Sequence, residues 1–161
     1  MLRWRSYTHR HRCVPVILNS DQEKVISDQS FVRVLVVEDF GPWQDYILGK
    51  LRENPRLRVV DCAADGFEAV RKAKEVRPDL ILLDIGLPGM NGIEAARQIR
   101  KLVPQSKIIF LTVETSGSVA EAALGLGAEG YVLKIDLDGD LLVAVEAVMS
   151  GKRFTSQHLT N

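Results

Sequence analysis

Residues Asp79–Gly92 read DLILLDIGLPGMNG. Leu80 to Leu83 form an unbroken apolar run, short enough for a strand and too short for a core helix. Strands that are apolar on both faces belong to parallel sheets covered by helices on each side. This run stops at a carboxylate, Asp84, and then turns through three glycines and a proline. The acid at the end of a buried strand raises the question of whether a site stands there.

Outward from it the same alternation recurs. Val32–Val37 (VRVLVV), Leu57–Ala63 (LRVVDCA), Lys107–Thr112 (KIIFLT) and Gly130–Lys134 (GYVLK) read as further strands. Helical spacing fills the intervals. Residues 42–54 place Trp43, Tyr46, Ile47 and Leu51 on one face, with proline in the first turn. Residues 65–76 open on an Asp cap and are amphipathic. Gly92–Leu102 is a third helix, and residues 118–127 a fourth, rich in small residues and closed by glycine. Residues 136–152 form a fifth, with acids in the first turn and Gly151 as C-cap. Five βα units with right-handed connections divide their helices between the two faces of the sheet. The expected fold is therefore α/β, a doubly wound five-stranded parallel sheet with five helices.

The whole chain is compatible with that reading. Its 161 residues suffice for one domain, and 46% hydrophobic with 26% charged residues is ordinary for a globular protein. A formal net charge of zero gives no global field toward nucleic acid or membrane. No apolar stretch is long enough for a transmembrane helix. Cys13 and Cys62 are too few for a disulfide framework, so a reducing cytoplasm is the default expectation. Residues 1–30, with Arg3, Arg5, Arg10 and Arg12 at their start, lack a sustained period and are expected to be a loose basic extension. His9, His11 and Cys13 offer alternate spacing without a fourth ligand, a weak metal motif. The domain itself is expected over 31–150.

Ligands in doubly wound sheets bind outside the carboxyl ends of the strands. The residues there are Glu38 and Asp39 after the first strand, Asp84 after the third, Thr112 at the end of the fourth and Lys134 at the end of the fifth. Each has a plain structural explanation alone: acids cap helices, and lysines sit on surfaces. Helix caps do not explain all of them at one rim. Crowded carboxylates raise one another's pKa values unless a cation neutralises them. Hard oxygen donors suit Mg²⁺, which favours one or two carboxylates, water and substrate phosphate. A carboxylate can attack phosphorus to give an aspartyl-phosphate. A lysine ammonium and a threonine hydroxyl then stabilise the phosphoryl oxygens. The glycines after Asp84 are expected to let the backbone approach a ligand.

These motifs resemble the receiver domain of two-component response regulators. The matching residues are the acidic pair Glu38–Asp39 after an apolar strand, LLDIGLPGMNG around Asp84, LT ending at Thr112, and GYVLK ending at Lys134. The stretches ALGLGAEGYVLK and LLVAVEAVMSGKRFTSQHL are most similar to the NarL/FixJ-type branch. The resemblance implies a flavodoxin-like strand order of 2-1-3-4-5. It implies Asp84 as phosphoacceptor and a sensor histidine kinase as donor. Mg²⁺ would be held by Asp39 and Asp84, by Glu38 through water, and by the carbonyl of Gly86. Thr112 and Lys134 would bind the phosphoryl group, and Thr112 with Tyr131 would be the switch pair. Gly86 and Glu114 stand where the family tunes phosphoryl lifetime, and Val113 replaces a commonly small residue. The resemblance further implies a cytoplasmic protein, not a free-standing enzyme, with homodimerisation possible on activation. DNA would be reached only through an output domain, leaving 151–161 as a tail or the start of a linker.

Three rivals are weaker on the residues. A receiver-like interaction module that is never phosphorylated is opposed by the intact acid pair, Asp84, Thr112 and Lys134. An aspartate-nucleophile phosphohydrolase needs a second acid two residues on to protonate the leaving group, and Gly86 stands there. A nucleotide-binding loop would need G-x-x-x-x-G-K-[ST], which the sequence lacks.

Overall fold

The computed structural model describes residues 2–6, 13–17 and 30–161. The main sheet is built from β3 (Val32–Val37), β4 (Leu57–Ala63), β5 (Leu80–Asp84), β6 (Lys107–Thr112), β7 (Gly130–Leu133) and β8 (Phe154–Thr155). Its order is β4-β3-β5-β6-β7-β8, and every pairing is parallel. Counted from β3, that is the expected 2-1-3-4-5 arrangement with a short sixth strand added at the β7 edge. The expected segment 151–161 supplies this strand, so part of it is folded onto the domain. Of 1–30, Leu2–Ser6 (β1) and Cys13–Ile17 (β2) pair antiparallel in a separate sheet, where a loose extension was expected. His9 and His11 lie outside the described residues.

The five helices are α1 (Gly41–Leu51), α2 (Gly66–Val76), α3 (Gly92–Leu102), α4 (Gly117–Gly125) and α5 (Leu137–Met149). Strand alternation sorts them. Val34, Val36, Leu80, Leu82, Ile109, Leu111 and Val132 face α1 and α5, where Ile47, Leu51, Leu141 and Val145 meet them. Leu35, Val37, Ile81, Leu83, Phe110, Tyr131 and Leu133 face α2, α3 and α4. Those three helices present mainly alanines, Ala69, Ala73, Ala96, Ala120 and Ala123, which let the helix backbones lie close to the branched strand residues. β5 is the central case: all five of its residues are buried. β4, at the sheet edge, is only half-buried over most of its length.

Local chemistry sets the boundaries. Asp65 accepts a hydrogen bond from the Glu68 amide at 2.7 Å and starts α2. Asn91 does the same for α3 through the Glu94 amide at 2.9 Å. Pro42 stands in the first turn of α1. The fifth helix begins later than expected, because Lys134–Asp136 first make a 3₁₀ turn. The expected absence of a disulfide is corrected: Cys62, at the inner end of β4, is disulfide-bonded. No helix among the described residues is long and apolar enough to cross a membrane.

Candidate functional site

The alternation that builds the core also aims the site. Val34 and Val36 precede Glu38, Leu80 and Leu82 precede Asp84, and Val132 precedes Lys134, all on the face shared with α1 and α5. Each polar residue is the next member of an apolar file at the point where its strand reaches the rim. All three are buried: Glu38 is 1%, Asp84 6% and Lys134 7% exposed. Asp39 is half-buried beside them. One carboxylate oxygen from each of Glu38, Asp39 and Asp84 lies within 4.8 Å of the others.

Lys134 balances this charge. Its Nζ stands 2.5 Å from Glu38 Oε2 and 3.4 Å from Asp84 Oδ2. Glu38 Oε1 accepts from the Phe40 amide at 3.1 Å, while Oε2 is held by the Lys134 ammonium. Burial raises the Glu38 pKa above the usual carboxylate value; the Lys134 hydrogen bond opposes this and the neighbouring Asp84 charge adds to it. Asp84 Oδ1 accepts from the Gly86 amide at 3.2 Å. Three hard oxygen donors, one from each of Glu38, Asp39 and Asp84, within reach of one another fit a small divalent cation.

The loop glycines also meet a requirement of the chain itself. A Cβ on Gly92 would lie 2.0 Å from the Asp84 carbonyl oxygen. Gly89 adopts φ +71°, in the region that side chains disfavour. Both serve the tight return of the chain into α3. Gly86 is exposed, and its missing side chain leaves the space beside Asp84 open.

Thr112 and Tyr131 point to the other face. Thr112 follows Leu111, the register partner of Asp84 on the adjacent strand, so its side chain turns toward α4. Its hydroxyl accepts from the Glu114 amide at 3.0 Å. Tyr131 is fully buried beside Phe110, and its hydroxyl donates to the Glu114 carbonyl at 2.9 Å. Burial, with the Glu114 charge adding to it, pushes the Tyr131 pKa up to about 12. The rim thus divides into an acidic pocket on one face and a hydroxyl pair on the other, joined by the end of β6. Val113, beyond Thr112, is 72% exposed.

The sequence reading missed one neighbour of the pocket. Trp43, taken as a helix-face residue, lies with its ring 5.4 Å from Lys134 Nζ. Helical periodicity marks it as apolar but not as adjacent to a lysine 91 residues away.

The profile of the response regulator receiver domain matches residues 34–146. The response regulator GacA of Pseudomonas viridiflava is 33% identical over 128 residues, which cover 80% of this chain and 60% of the relative. The chain therefore spans about 60% of that relative's length. A crystal structure of a LuxR-family two-component response regulator from Aurantimonas sp. SI85-9A1 superposes with a TM-score of 0.73 at 35% identity, covering 80% of this chain and 91% of that one. The isolated REC domain of RcsB from Salmonella enterica serovar Typhimurium, determined with the phosphomimetic BeF3-, gives a TM-score of 0.76 at 26% identity, covering 81% and 96%.

Proposed function

The chain belongs to the response regulator receiver domain family of two-component systems, and on that footing we propose that Asp84 is its phosphoacceptor. The observation that supports this most is the convergence of Glu38, Asp39 and Asp84 within 4.8 Å against the buried ammonium of Lys134. An Asp84 carboxylate oxygen attacks the phosphorus of a phosphohistidine on a sensor histidine kinase. The O–P bond forms, the P–N bond breaks, and the imidazole leaves with the bonding electron pair and takes up a proton. Asp39, Asp84, the Gly86 carbonyl and, through water, Glu38 would hold Mg²⁺, which would supply charge neutralisation for the carboxylates and the incoming phosphoryl oxygens. Lys134 turns from Glu38 to a phosphoryl oxygen, and the Thr112 hydroxyl donates to another.

Thr112 and Tyr131 then act as the switch. New charge at Asp84 draws the Thr112 hydroxyl, and the Glu114 segment that it shares with Tyr131 must follow. The gain is one charge-assisted hydrogen bond, about 1.5–3 kcal/mol, so the response is a population shift. Gly86 and Glu114 set how water reaches the acyl phosphate. The domain, residues 31–150, works as a switch rather than a free-standing enzyme, and signals by dimerisation or partner binding toward transcription. A kinase that draws on ATP places the exchange in the cytoplasm.

Acetyl phosphate with Mg²⁺ should add one phosphoryl mass to the wild type and none to Asp84→Asn. Equal labelling of the two would remove Asp84 from the role.

A further inference from the structure

The segment after α5 does more than extend the sheet. β8 pairs with β7 through Gly130↔Phe154 and Tyr131↔Thr155. Ser156 then turns inward: its hydroxyl donates to Asp140 Oδ2 at 2.6 Å and accepts from the Leu133 amide at 3.1 Å. His158 Nδ1 lies 2.7 Å from Asp136 Oδ1. Leu159 packs on the core facing α2–α4. The chain has now crossed the rim, and Thr160 closes on the segment between β6 and α4. The Thr160 amide donates to the Thr115 carbonyl at 2.7 Å, and its hydroxyl donates to the same carbonyl at 3.1 Å. The Gly117 amide donates to the Thr160 carbonyl at 2.7 Å.

That last bond has a specific meaning. Gly117 is the first residue of α4, and α4 has neither a side-chain cap nor an acid in its first turn. Its orphan amides need an acceptor. Thr160, 43 residues distant, provides one. The segment Glu114–Gly117 is therefore gripped from both sides. From inside, the Glu114 amide is held by Thr112 and the Glu114 carbonyl by Tyr131. From outside, Thr115 and Gly117 are held by Thr160.

We propose that residues 154–160 form an autoinhibitory strap, which holds the Glu114–Gly117 segment in its present arrangement and is displaced when Asp84 is loaded. The proposal rests on the reading of Asp84 as acceptor and Thr112 as the hydroxyl that answers it. Thr112 lies on the α4 face and holds the Glu114 amide, so reaching a group on Asp84 draws the Glu114–Gly117 segment with it. The Glu114–Gly117 segment cannot shift while the amide, hydroxyl and carbonyl of Thr160 hold it. Loading and docking therefore oppose each other, and by linkage each weakens the other by the same factor. The strap sets a threshold: it raises the phosphodonor level at which the switch responds.

The test uses the full chain with Mg²⁺ and beryllofluoride, a stand-in for the phosphoryl group, and fluorine NMR to report occupancy. Hydrogen exchange of the Gly117 and Thr160 amides should accelerate on loading, on the order of tenfold, while Ile81–Leu83 in β5 stay protected. Thr160→Pro, which loses both donors, should bind beryllofluoride on the order of tenfold more tightly, as expected for one or two net hydrogen bonds. Should that variant not fold, Thr160→Val keeps the amide and should bind about threefold more tightly. Full loading with unchanged exchange at both amides overturns the strap alone. Unchanged or weaker binding by the Thr160 variants does so too. Failure of the wild type to load overturns the reading of Asp84, and the strap with it.

Discussion

Replacing Tyr131 by phenylalanine separates burial from hydrogen bonding at the switch. Near neutral pH the variant loses one hydrogen bond, from the hydroxyl to the Glu114 carbonyl at 2.9 Å. Glu114 is exposed, so water takes over the carbonyl, and the loss should be about 1 kcal/mol. At alkaline pH the order reverses. The folded-state pKa of Tyr131 is about 12, raised from 10. A raised pKa means that the proton is held more tightly in the folded state. The associated stability is fully present below pH 10 and is lost as pH climbs through 12. Two pKa units correspond to about 2.7 kcal/mol at the limit, about half of it gone by pH 11. Phenylalanine has no such proton to lose. Wild type should thus be the more stable protein at pH 8, the two should be about equal near pH 11, and Tyr131→Phe should be ahead beyond it. Urea denaturation followed by circular dichroism at these pH values measures the difference, and contributions from other titrating groups cancel between the two proteins. Parallel decline of both proteins from pH 8 to 12 would refute the buried placement of the hydroxyl.

Gly92→Ala should destabilise the domain by about 1–3 kcal/mol, because its Cβ would press on the Asp84 backbone and only main-chain movement relieves the contact. The urea midpoint reads this, and a loss below about 0.5 kcal/mol would mean that the loop yields freely. Lys134→Met leaves Glu38 and Asp84 buried without their cation and should cost about 3 kcal/mol at pH 8 without Mg²⁺. Glu38, already raised, rises further without Lys134. A raised carboxyl stabilises below its unfolded pKa and loses that contribution as pH rises through its folded value. The deficit should therefore shrink when the same measurement is made at pH 5, and a deficit independent of pH would remove Glu38 from the explanation.

Much of this protein could be read from local pattern. The strands β3 to β7 and the five helices follow from periodicity, which depends only on neighbours within a few residues. The convergence of Glu38, Asp84 and Lys134 was implicit as well, since each continues the alternation of its own strand onto the face of α1 and α5. What periodicity does not encode is which distant groups share a space. The 2.5 Å pairing of Lys134 with Glu38, ahead of Asp84, depends on the order β3-β5-β6-β7 and on rim geometry. The closeness of Trp43 to Lys134 has the same origin. Gly92 was visible as a glycine, but only the fold shows that the Asp84 carbonyl, not a ligand, excludes its Cβ. β8 has two residues, too few for any period to be seen, and Thr160 reaches Thr115 across 45 positions of chain. Such contacts exist because tertiary packing has already brought the α4 amides within reach of a passing carbonyl. The sequence therefore determined the elements and the face on which the acids stand, while long-range packing decided how those acids are neutralised and what holds the loop beside them.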